Sequence, residues 1–128
     1  MSAIGHRTWA IAEGYIPPSS TGPEPEFLSH ETASILNTND EPAHVSITVY
    51  FEDREPATYQ VTVEPRRTLH QRFNDLSDPE IPRGLGYASV IASDVPIVVQ
   101  HTRLDSRQAE NALLSTIAHP ITGSSGEH

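Results

Sequence analysis

The sequence predicts an all-β chain, a single-domain β-sandwich of about eight short, mainly antiparallel strands. Three observations predict it. Apolar and polar residues alternate with period two in several segments, and these segments recur at spacings of about ten residues. Proline, glycine, asparagine and aspartate punctuate the gaps between them.

Taken in order, Arg7–Ala12 and Thr32–Leu36 are the first candidate strands. Between them Pro17–Glu26 holds four prolines and one glycine, which predicts an irregular excursion. His44–Phe51 alternates cleanly and puts Val45, Ile47, Val49 and Phe51 on one side of a half-buried strand. Thr58–Val63 repeats the pattern with Tyr59, Val61 and Val63 inward, and the charged turn Glu52-Asp53-Arg54-Glu55-Pro56 joins the two as a hairpin. Thr68–Phe73 follows. The segment Leu76–Gly86 carries Asp78-Pro79 and Ile81-Pro82, which impose extended or turn geometry. Tyr87–Ser93 and Ile97–Thr102 are two further strands. Arg107–Ala118 contains good helix formers, yet Leu114-Ser115-Thr116-Ile117 suits a final strand, which is the preferred reading.

A chain of 128 residues fits one domain by the usual range of about 100–200. The expected domain is 1–121, with 122–128 a frayed tail. That length is enough to bury roughly two-thirds of the unfolded surface without a covalent staple. There are no cysteines, which excludes disulfides, thiol nucleophiles and Cys-ligated zinc. The opening residues carry no signal-peptide pattern, and no apolar run approaches the ~20 residues of a membrane span. Any membrane partner is therefore expected to be met from the water side.

Formal net charge is −9, and all eight cationic side chains are arginine. Without lysine there is no Schiff-base or P-loop chemistry, and every positive charge persists at any relevant pH. The acidic excess repels nucleic acid and anionic lipid overall, so nucleic acid is expected to bind weakly at most.

Seven histidines are scattered along the chain rather than set at ligand spacing, and His30 and Glu31, being adjacent on a strand, point to opposite faces. No metal and no cofactor are expected. No nucleophile elbow frames a serine, and pairs such as Glu24/Glu26 and Asp75/Asp78 suit solvated loops, so no catalytic residue is assigned. Three groups remain. Trp9, with Glu13 and Tyr15 nearby, suits either the core or a ligand platform, since an indole can fill a sheet interior or stack on a flat apolar ligand. Arg66, Arg67 and Arg72, with His70 among them, form the one basic cluster, either a solvated face or a docking patch for an acidic partner or nucleic acid. Arg103-Leu104-Asp105-Ser106-Arg107-Gln108 is too polar to be buried unpaired. Arg103, Asp105, Arg107 and Gln108 are therefore expected at a subunit interface or lining a site, through forked charge-assisted bonds.

Three literal runs carry a resemblance. They are Trp9-Ala10-Ile11-Ala12-Glu13-Gly14-Tyr15-Ile16-Pro17, Phe73-Asn74-Asp75-Leu76, and the stretch from Ile97 through Gln100-His101-Thr102-Arg103 to Leu114. Across Trp9 to Ala118 the chain closely resembles the sensory rhodopsin transducer family. The resemblance implies a small all-β sandwich that assembles as a homotetramer and works without catalysis in the cytoplasm. Its implied partner is a membrane sensory rhodopsin, met at the cytoplasmic face of the inner membrane. An alternative implied role is a small-molecule-binding module for sugar-like ligands, unconnected with light. The polar positions that a shared pocket would use are Trp9, Glu13, His30 and Glu31 near the start. Asn74, Gln100, Thr102 and Arg103 would complete it.

Overall fold

The computed structural model describes residues 3–17, 30–105 and 112–122. The described residues form eight strands and one short 3₁₀ turn. In order these are β1 (His6–Tyr15), β2 (His30–Asn37), β3 (Ala43–Phe51), β4 (Ala57–Val63) and β5 (Arg67–Arg72). The 3₁₀ turn (Phe73–Asp75) precedes β6 (Gly86–Asp105), β7 (Ala112–Ile117) and β8 (His119–Pro120). All pairings among them are antiparallel. The all-β class predicted from alternation is the class observed.

One strand organises everything. The first part of β6 lies between β1 and β3, with β4 beyond β3 and β8 touching β1 at Trp9 and Ala10. The second part lies between β2 and β7, with β5 beyond β2. The inward residues of both sheets meet in a single core. Val45, Ile47 and Val49 of β3, Ile35 of β2, and Ile91 and Val99 of β6 are all fully buried in it. The hairpin of β3 and β4 buries Tyr59 and Val63, as the alternation predicts.

Two expectations need correcting. Tyr87–Ser93 and Ile97–Thr102 are one strand of 20 residues, so not every strand is short. Asp94-Val95-Pro96 looks like a break because aspartate favours turns and proline lacks an N–H. Here it is instead the corner at which β6 passes from one sheet to the other. Asp94 Oδ1 accepts the His44 amide N–H at 2.9 Å, and its Oδ2 lies 2.7 Å from His44 Nδ1. The Pro96 carbonyl accepts Asn39 Nδ2 at 2.8 Å. The second correction is Phe73, which opens the 3₁₀ turn rather than closing β5. Within Arg107–Ala118 the described part is strand, as preferred. The Pro17–Glu26 excursion beyond Pro17 and the tail beyond Thr122 lie outside the described residues.

Ser89, in β6 between Ile11 of β1 and Val49 of β3, is an exception within the core. Its hydroxyl is buried without a hydrogen-bond partner. A buried polar atom left unpaired costs about 1–3 kcal/mol. Ser89→Ala is therefore expected to raise stability by about 1 kcal/mol in urea unfolding. A loss of stability would contradict this placement.

Candidate functional site

Glu31 is the most unusual side chain in the structure, a carboxylate with no exposure to water. Its neighbours in β2 alternate, so Glu31, Ala33 and Ile35 turn inward while His30, Ser34 and Leu36 turn outward. An unpaired carboxylate in such a place would be prohibitively costly. Here both oxygens are occupied. Oε1 lies 2.6 Å from His101 Nε2, and Oε2 accepts Arg103 Nε at 2.6 Å. The same Oε2 accepts the Tyr15 amide N–H at 2.7 Å, and the Glu31 amide donates to Asn74 Oδ1 at 3.2 Å. Glu31 thus ties together β1, β2, β6 and the 3₁₀ turn.

Aromatic rings close the site from the core side. Phe73 packs against Tyr87 with ring centroids 5.5 Å apart. Burial, and next the charge of Glu31, hold the Tyr87 phenol far above its ordinary pKa, so it stays protonated. Gly14 is required here, because a Cβ at that position would overlap the Tyr87 ring. Just before it, the register between β1 and β6 shifts between Ile11 and Gly14, and Ala12 and Glu13 are both exposed. That bulge turns Glu13 toward an open cleft of about 250 Å³, whose lining includes His101, Arg103, Thr116 and His119. With three donors on one carboxylate, the network is suited to holding strands in register and to fixing His101 and Arg103 at the cleft wall.

The eight pocket positions do not converge. Glu31, Asn74 and Arg103 belong to the buried network, and Glu13 stands at the cleft beside it. His30, Gln100 and Thr102 lie on the opposite, outer face of the same sheet. Trp9 is a core residue, 3% exposed, and its indole N–H is donated to the carbonyls of His6 and Ile97 at 3.0 Å each. His101 was absent from the set. Its signal was available, because His101 and Arg103 are two apart on a strand and so share a face.

The basic cluster also divides. Arg66 sits in the turn before β5 and pairs with Asp40 at 2.8 Å, both side chains well exposed. Arg67 Nη1 donates to the Arg66 carbonyl at 3.1 Å, while His70 and Arg72 reach the outer face of β2 and β6. Of the expected interface group, Arg103 is the inward partner of Glu31, and Arg107 and Gln108 lie outside the described residues, as does the Asp105 side chain. No three His, Asp or Glu side chains among the described residues converge to hold a metal.

Residues 4–120 match the family model described as the Anabaena sensory rhodopsin transducer. The chain belongs to that family. The solved structure of the Anabaena sensory rhodopsin transducer is 60% identical and aligns with 81% of this chain and 100% of its own, at a TM-score of 0.71. A crystal structure of Thermotoga maritima protein 1070 is 37% identical, covering 94% of this chain and 99% of that one at a TM-score of 0.84. No curated protein matches. The family resemblance carried by the three sequence runs is thereby established. No helix among the described residues is long and apolar enough to cross a membrane.

Proposed function

We propose that the protein is a non-enzymatic transducer that relays a signal by docking to a partner, a membrane sensory rhodopsin or a receptor of that type, from the cytoplasmic side. The observation that carries this reading is the 60% identity extending over the whole length of the Anabaena transducer. Docking transmits a signal only if the partner's two states bind with different affinity. The working form is a homotetramer, which covers exposed apolar side chains such as Tyr50 and Ile117 by symmetric association. A pull-down with a membrane sensory rhodopsin as bait is expected to retain unequal amounts in light and in darkness. Equal retention would remove the transducer role, and a light-scattering mass near the 14.0 kDa of one chain would remove the tetramer.

A second reading is favoured by the cleft beside Glu31, where Glu13, His101 and Arg103 offer acceptor and donor groups beside apolar Ile117. It is a site for a sugar-like small molecule. In a thermal-shift screen with neutral monosaccharides, a specific ligand at 100 times its Kd would add about 2.7 kcal/mol. A flat screen would count against this alternative alone.

A further inference from the structure

The outer face of the β5–β2–β6 sheet is chemically unlike the rest of this acidic protein. Register aligns its side chains in cross-strand rows. Arg72, Thr32 and Thr102 form one row, and His70, Ser34 and Gln100 the next. Thr68, Leu36 and Val98 form the third. Side chains directly opposite one another across a ladder stand about 4.5–5.5 Å apart, so each row is a contiguous surface. Two clefts of about 370 and 320 Å³ open on this face and share Ser34, His70 and Thr102, which makes them one depression. His30 joins Arg72 and His70 at one end, while half-exposed Leu36 and Val98 lie at the other.

Among the described residues no carboxylate lines either cleft. The one acid of β2, Glu31, is turned inward, and β5 contains none. At the Arg72 end a guanidinium, two imidazoles and the hydroxyls of Thr32, Ser34 and Thr102 therefore face one space with no built-in anion among the described residues. Such a set exceeds what a carboxylate, with two oxygens, can use. It suits the three terminal oxygens of a phosphoryl group, which accept several charge-assisted bonds at once. A guanidinium has five N–H donors, so a contact already made by Arg72 leaves others for a ligand. The apolar far end suits an organic substituent rather than a free ion.

The geometry points to a binding site for a small phosphate monoester on this face. Arg72, His70 and His30 take the phosphoryl group, the hydroxyls of Thr32, Ser34 and Thr102 complete its shell, and the ester's organic part lies toward Leu36 and Val98. The site is separate from the cleft beside Glu31 and stands or falls independently of the docking reading.

The test is an NMR titration of the full chain with glycerol phosphate, with inorganic phosphate and glycerol as companions. The expected result is a Kd of about 1 mM or tighter for glycerol phosphate, with amide shifts centred on Thr32, Ser34 and Thr102. Glycerol is expected to be silent, and added sodium chloride to weaken binding. Arg72→Gln and the exposed-site variant His70→Gln are each expected to lower affinity by about tenfold, whereas Arg66→Gln leaves it unchanged. Shifts centred elsewhere, or affinity indifferent to both Arg72→Gln and His70→Gln, would overturn the proposal. So would duplex DNA binding that depends on Arg72 while glycerol phosphate shows none, since the face would then serve a nucleic-acid backbone.

Discussion

Glu31→Ala is expected to destabilise the fold by about 3–5 kcal/mol, the range for removing one member of a buried ion pair. The cost arises on several sides at once. Arg103 and His101 lose the charge opposite them, and the Tyr15 amide loses its acceptor. Relief is available only to Arg103, whose side chain is 23% exposed and can turn toward water, whereas that of His101 is 9% exposed. Glu31→Gln keeps the shape and one acceptor, so it is expected to fall between wild type and Glu31→Ala. Urea unfolding measures both. The double variant Glu31→Ala with Arg103→Ala should cost less than the sum of its parts, because the two changes remove one shared interaction. A loss below about 1 kcal/mol for Glu31→Ala would place the network with ordinary surface pairs and sink its structural role.

Phe73→Ala is expected to cost a similar amount, about 3–5 kcal/mol, by opening a cavity where a fully buried ring packs on Tyr87. Its second effect is local. Phe73 anchors the 3₁₀ turn whose next residue, Asn74, accepts the Glu31 amide. In Phe73→Ala the Glu31 amide should therefore exchange with solvent faster than the amides of the β3–β4 hairpin. Uniform acceleration across the chain would show that the ring stabilises the core without positioning the network.

The strands of the hairpin were legible because each has one wet and one dry face. Val45, Ile47 and Val49 alternate with Ser46, Thr48 and Tyr50, and burial follows that pattern. The corner in β6 was not legible. Asp94 and Pro96 are turn formers locally, and only contacts with His44 and Asn39 from distant segments hold them within a strand. The site was half legible. Glu31 and Arg103 came from the family likeness, and strand parity would have added His101 and separated Gln100 and Thr102 to the other face. Parity could not reveal that Glu31 points inward, since a charged residue on a strand is normally taken as solvent-facing. Trp9 had two open readings, and the carbonyls of His6 and Ile97 that receive its N–H are fixed only by the packed sheets.

Sharing β6 between the two sheets also sets the order in which the chain can fold during synthesis. Before residue 86 emerges, the β3–β4 hairpin and the β2–β5 pair can form, but β1 has met neither of its partners. Each half of the structure then waits for the same 20 residues, and neither can complete without them. Strand β1 consequently waits unpaired with β6 and β8 while the residues between it and β6 are made, the kind of segment that recruits chaperones or pairs with the wrong chain. Closure comes late and through distant contacts, which makes it slow. Stability of the finished molecule and safety of the nascent one thus depend on different residues, with β1 the point of vulnerability in the second.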